Sequence, residues 1–192
     1  YAVLSSLDFA LVEPFTDLQA ALQLRKGFHL RSRRLAASWA QGGVSAGVIV
    51  NRALTYFRNE PFTYTLRPQR TPGDSVDEFL FLTREGFCEH FASAFTVLMR
   101  AAGVPARVVT GYQGGEWNEV GGYWIVRNRD AHAWSEVWLL GRGWVRVDPT
   151  AAVSPARVER GMDIAMPASA GDAFLGLAPG APGTRLWRRT RL

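Results

Sequence analysis

The 192-residue chain has one cysteine, three histidines and no run of eighteen consecutive apolar residues. Each scarcity excludes something. A single thiol forms no internal disulfide, so cysteine usage leaves the redox compartment open. Without a long apolar run, no segment of the chain reads as a membrane span. There is no Asp-x-Asp-x-Asp calcium loop, so no metal and no cofactor are expected. The chain also lacks a signal peptide and opens on Tyr1, which reads as a piece of a longer protein. Charge is not scarce, but the net +5 is local. Arg25, Lys26, Arg31, Arg33 and Arg34 form one basic cluster, and Arg185, Arg188, Arg189 and Arg191 a second. No nucleic-acid motif accompanies them, so they are read as solvated flanks and no nucleic-acid partner is expected. With 47% hydrophobic residues, the chain can fill the core of one ordinary domain.

The cysteine lies in Gly86-Phe87-Cys88-Glu89-His90-Phe91-Ala92-Ser93-Ala94-Phe95. From Cys88 to Ala102 good helix formers dominate, and Phe91, Phe95, Leu98 and Ala102 make one apolar stripe. Gly103 stops this helix and Pro105 prevents its continuation. Gly86 is expected to let the backbone turn sharply into it. Cys88 thus falls on the first turn, where orphan N–H groups and the dipole favour an anion. A cysteine so placed, with histidine near, can fall from about 8.5 to roughly 3.5–7.5 in pKa. Taken alone, a lone cysteine is more often a small buried hydrophobe.

Upstream, Ala2–Leu4 and Phe9–Val12 read as short strands, with Pro14 and Asp17 marking a turn. A helix is expected over Arg34–Ala40, ending at Gly42-Gly43, and a second is capped by Ser45 and ends at Asn59-Glu60-Pro61. Phe62–Leu66 reads as a strand, Pro68–Asp74 as a loop, and Val76–Leu82 as a short helix capped by Asp74 or Ser75, with its acids favoured by its own dipole. After the cysteine helix, strands are expected over Ala106–Tyr112, Tyr123–Arg127, His132–Leu140 and Trp144–Asp148, with glycines at the turns. Helices followed by an antiparallel sheet make an α+β order, with the cysteine helix packed on the sheet. Beyond Thr150, Pro, Gly, Ala and Ser dominate, and at most one short helix is expected, at Ala173–Leu177. The domain reading is an N-terminal extension over 1–33, a catalytic domain over 34–152 and an irregular tail over 153–192.

A thiol nucleophile needs a base and a group to orient that base. His90 follows Cys88 by two residues, about 200° around the helix, so the two side chains cannot face each other. His29 sits in a basic cluster without a carboxylate beside it and reads as a surface residue. His132 remains, in Asp130-Ala131-His132-Ala133-Trp134-Ser135-Glu136-Val137-Trp138, where strand alternation puts His132, Trp134, Glu136 and Trp138 on one face. Asp148 ends the next strand. A tight turn at Gly141-Arg142-Gly143 would set Asp148 opposite Glu136, roughly 13 Å along the strand from His132 at ~3.3 Å per residue. A bulge or wider turn must close that gap, Glu136 is a formal rival, and Asp148 could equally be an Asp-Pro turn cap.

Three stretches, GFCEHFASAFTVLMRAAGVPARVVTGY from Gly86, DAHAWSEVWL from Asp130 and GWVRVDPTA from Gly143, resemble the core of the papain-related transglutaminase-like superfamily. The closer resemblance is to bacterial membrane-anchored TgpA-type proteins, which carry this domain outside the cytoplasmic membrane. It is strong over Val76–Ala152, weaker over Asn51–Leu66 and slight beyond Ala156. The resemblance implies Cys88 as nucleophile, His132 as general base and acid, and Asp148, rather than Glu136, as the orienting carboxylate. It implies acyl transfer from a peptidyl-glutamine carboxamide to an amine, with the Cys88 N–H as one oxyanion donor and Tyr64 a candidate for the second. Arg100, Gly103, Pro105 and Arg107 match the family pattern and are expected to fix the helix-to-strand turn. The loop Trp117–Val120 could contact substrate, though a hairpin tip is the simpler reading. A thiol peptidase or amidase would use the same triad, and a non-catalytic binding module is the reading from another class. The implied setting is the periplasmic domain of an inner-membrane protein, with envelope or cell-wall peptides as partners.

Overall fold

The computed structural model describes residues 15–69, 73 and 75–156. Three helices come first: α1 (Phe15–Ala20), α2 (Leu30–Ala40) and α3 (Ala46–Asn59). Asp17 therefore lies in a helix where a turn was expected. The expected strands at Ala2–Leu4 and Phe9–Val12, Pro14, the Asp74 cap, the helix at Ala173–Leu177 and the second basic cluster lie outside the described residues. Strand β1 keeps only Thr63–Tyr64 of the expected Phe62–Leu66. It is short because its partner is short: it pairs in parallel with β2 (Glu85–Gly86), the two residues that lead to the cysteine. Between them, α4 (Ser75–Glu78) continues into a π-helical turn, Phe79–Thr83.

Helix α5 (Cys88–Ala101) crosses the core. Phe91, Phe95 and Leu98 are fully buried, so the predicted stripe is its inner face. Phe91 is the hub, with ring centroids of Phe79, Phe57 and Phe62 at 5.0, 5.8 and 6.0 Å. The helix ends in a Schellman motif. Gly103 takes φ +82°, Gly103 N–H donates to Arg100 O and Val104 N–H to Met99 O. Arg100 ties that end down, donating from Nε to Ala106 O (2.8 Å) and from Nη1 to Gln23 O (2.9 Å). Arg107, the second residue of the following strand, is bonded to Glu136 (2.9 Å) and stacked over Trp144.

The sheet follows: β3 (Ala106–Tyr112), a ribbon of β4 (Glu116–Asn118) and β5 (Tyr123–Ile125), then β6 (Ala131–Leu139) and β7 (Gly143–Val147). The strand order is β3-β6-β7, antiparallel throughout, with α6 (Thr150–Val153) after the last strand. The Trp117–Val120 segment belongs to β4 and its turn. Its Trp117 ring pairs with Trp124 across the ribbon. A three-residue loop, Leu140-Gly141-Arg142, joins β6 to β7, and Gly141 and Gly143 have the positive φ it requires.

An aspartate from one helix caps another. His29 occupies the N-cap of α2 with φ +61° and no side-chain cap of its own. Asp77 accepts from the N–H groups of Arg31 (2.9 Å) and Ser32 (3.0 Å) and from the Ser32 hydroxyl. Asp77 lies in the first turn of its own helix, as expected, and its oxygens also satisfy orphan donors of α2.

Candidate active site

Cys88 is the first residue of α5, and Phe87, in extended conformation, is its N-cap. Phe91 fixes the first turn from below. Cys88 is 8% exposed and packs with Ala92 of its own helix, Ala133 of β6 and the Phe87 ring. Gly86 is required for a reason other than the one expected. Its φ is not positive, but a Cβ there would lie 2.6 Å from His90 Cβ and 3.0 Å from Phe79. The glycine gives space for a close approach beside the cysteine turn.

His90 points away from Cys88, with Nδ1 facing Phe87 N–H at 3.5 Å. Burial holds its pKa below the usual histidine value, against the opposing charge of Glu89. His90 and Phe87 line a cleft of about 560 Å³ with Phe79, Glu85 and Arg67. His29 is half-buried at the head of α2, its ring edge-on to Phe28.

His132 opens β6 and is buried. Its Nε2–H donates to Asp148 Oδ2 at 2.7 Å. Nδ1, buried with no nitrogen or oxygen partner, is the ring nitrogen left for the Cys88 sulfur. Burial alone would push the imidazole pKa down. Hydrogen bonds to Asp148 and to Cys88, with the negative charge of each, outweigh burial and hold it above the ordinary value. Cys88, His132 and Asp148 therefore come together from α5, the start of β6 and the end of β7.

The register shows how Asp148 gets there. Ser135 pairs with Val147, so the ladder would set Asp148 level with Trp134, two residues nearer His132 than a tight turn allows. The Leu140–Arg142 loop, also three residues but placed one residue earlier than Gly141–Gly143, makes that shift. Asp148 then leaves the ladder: its Oδ1 accepts from Thr150 N–H (3.2 Å) and its carbonyl from Ala151 N–H (3.2 Å). The turn-cap reading and the contact with His132 both hold, one on each carboxylate oxygen. Glu136 sits opposite Arg107 and Arg146, bonded to the former, and takes no part in the His132 contact. The Tyr64 ring stacks on Phe91, centroids 6.4 Å apart.

Two features escaped the linear reading. Ser135 Oγ donates to Ala92 O (3.0 Å), so the hydroxyl contact to Thr96 (3.1 Å) must use the Thr96 proton. Through the Ala92 carbonyl and the Thr96 hydroxyl, Ser135 pins α5 to β6 one and two turns behind Cys88. The only signal was a serine among apolar residues on the inner face of β6. Trp134 roofs the imidazole, centroids 6.3 Å apart and planes 25° apart, and lies over Gly111, where a Cβ would come within 2.9 Å of it. Among the described residues no His/Cys/Asp/Glu group could hold a metal, and no helix is long and apolar enough to cross a membrane.

A helix that carries a cysteine at its N-terminus, packed on an antiparallel sheet that carries histidine and aspartate, defines the papain-related class of folds. The family described as the transglutaminase-like superfamily matches residues 36–149, and the chain belongs to it. It is 48% identical over 162 residues to the protein-glutamine gamma-glutamyltransferase of Pseudomonas aeruginosa, over 84% of this chain and 24% of that protein. It is 37% identical over 145 residues to the uncharacterized protein YebA of Bacillus subtilis, over 72% of this chain and 20% of that protein. The crystal structure of the periplasmic domain of TgpA from Pseudomonas aeruginosa superposes with a TM-score of 0.76 at 47% identity, over 79% of this chain and 52% of that one. The chain thus spans about a quarter or less of the curated relatives it matches.

Proposed function

We propose that residues 34–152 form a cysteine acyltransferase domain of transglutaminase type, with Cys88 as nucleophile, His132 as general base and acid, and Asp148 as the orienter. The carrying observation is the buried line from Asp148 Oδ2 through the His132 ring to Cys88 at a helix N-terminus. The raised imidazole pKa supports a protonated ring beside a thiolate. The Cys88 sulfur adds to the carbon of a glutamine carboxamide. The charge that develops on oxygen is met by the Cys88 N–H, an orphan donor of the first helical turn. His132 gives its proton to the leaving ammonia and a thioester remains. His132 then takes a proton from the incoming amine as its nitrogen attacks. The new amide forms as the carbon–sulfur bond breaks, and the Cys88 thiolate returns beside the protonated His132.

The likeness to a protein-glutamine gamma-glutamyltransferase supports glutamine-bearing protein substrates. The likeness to a periplasmic domain supports placement on the periplasmic side, anchored through a longer protein to the inner membrane, with envelope peptides as substrates. The test pairs iodoacetamide labelling of Cys88 against pH with amine incorporation into a glutamine-containing protein. Rapid labelling at pH 6 and incorporation lost in Cys88→Ala are the expected results. Cys88-dependent peptide cleavage or ammonia release without incorporation would make the domain a thiol hydrolase. A thiol that labels only above pH 8 would remove the enzymatic reading.

A further inference from the structure

We infer that Arg146 is a positioning residue for the site, a clamp that holds the Trp134 roof and the Asp148 carboxylate in one arrangement over His132. The inference rests on the proposed triad and adds to it a residue that touches none of the reacting atoms. Three contacts converge on its guanidinium. The guanidinium carbon lies 4.1 Å over the Trp134 ring, the same ring that covers the imidazole. Nη2 stands 3.6 Å from Asp148 Oδ2, the oxygen bonded to His132. Nη2 also donates to Gln113 Oε1 at 3.2 Å, which ties the group to the chain leaving β3.

The geometry explains why a clamp is needed. Asp148 lies beyond the last laddered residue of β7, so sheet hydrogen bonds do not fix its side chain. Trp134 sits against Gly111, so its ring meets no side chain on that neighbour. The Arg146 side chain is 47% exposed and Asp148 only 9%, so the cation closes the site from the solvent side. The charged groups meeting this stack are Cys88 on α5 and Arg146 and Asp148 at the end of β7. A half-exposed ion pair is screened, and it and an exposed cation–π contact are each worth only about two- to fivefold. The combination on one planar group is what gives the arrangement its rigidity. Lysine would supply the charge but could not stack and bond as a plane.

The test compares Arg146→Met and Arg146→Lys with the unaltered chain. The His132 imidazole would be titrated by NMR, assigned with His132→Gln, beside steady-state kinetics with a glutamine donor. In Arg146→Met the Asp148–His132 bond loosens, and the His132 pKa is expected to fall toward about 6.5. The kcat should drop about 5- to 20-fold with KM within about twofold, and Arg146→Lys should recover part of both. A His132 pKa that stays or rises would overturn the inference, because a cation that merely repelled the imidazolium proton would raise it on removal. A change confined to KM would overturn it equally, moving Arg146 to the substrate. If the unaltered chain shows no Cys88-dependent turnover, the acyltransferase reading fails by itself, and the titration still decides whether Arg146 is the clamp.

Discussion

Along β6, Ala133, Ser135 and Val137 turn toward α5, while His132, Trp134, Glu136 and Trp138 alternate to the other face. The inner residues are 2% exposed or less and meet the helix through apolar packing and the Ser135–Thr96 hydroxyl pair. The outer residues form stacks of planar groups and charges: His132 under Trp134 under Arg146, and Glu136 with Arg107 over Trp144, which in turn meets Trp138 edge-on. The inner face decides where α5 lies, because a packed interior tolerates little displacement. The outer face decides how the imidazole is oriented and charged, because its contacts are directional. One strand serves both ends, and Cys88 meets both at its start.

The comparison breaks most sharply at Asp148. Asp148→Asn should lower kcat by about 10²- to 10⁴-fold, as loss of the orienting carboxylate does in a catalytic triad. Its thermal transition should change little in comparison. Equal losses in activity and stability would remove the distinction between the faces. On the inner face, Ser135→Ala strands the buried Thr96 hydroxyl and should cost about 1–3 kcal/mol by urea denaturation. It should cost more alone than beside Thr96→Val, and simple additivity in that double-mutant cycle would argue against the pair.

The raised His132 pKa links activity and stability to pH. A group whose pKa is higher folded than unfolded contributes stability that is full below its unfolded value, about 6.5, and lost as pH rises through the folded value. Stability curves of the unaltered chain and His132→Gln should therefore converge from pH 6 toward pH 9, and a gap that widens with pH would reverse the sign. The smallest effect belongs to Glu136→Gln. Its ion pair with Arg107 is partly exposed, so the loss should be at most about 1 kcal/mol. Its kcat should stay within about twofold, and a triad-sized fall would make Glu136, in place of Asp148, the orienting carboxylate.

Much of this was legible along the chain. The period of Phe91, Phe95 and Leu98 and the stop at Gly103 located α5, and β3 ran over the predicted Ala106–Tyr112. Other features were not legible where the deciding contact was remote. The reach of Asp77 to α2 spans more than forty residues. The need for Gly86 comes from His90 and Phe79 pressing on its α-carbon, and the two-residue β1 is limited by its partner β2.

By itself the sequence determined which residues could carry the chemistry: one thiol, three histidines reducible to one by helical geometry at His90 and by the basic surroundings of His29, and a carboxylate on the neighbouring strand. Local rules suffice for that, since side-chain direction follows the helical and strand periods. Strand periods left Asp148 and Glu136 as rivals where the family resemblance pointed to Asp148, and only the tertiary structure shows by contact that Asp148 meets His132. A three-residue loop moved the ladder by two residues, and the chain left β7 just where its carboxylate could divide between Thr150 and the imidazole. Register is a property of two strands and the turn between them, and no single strand carries it.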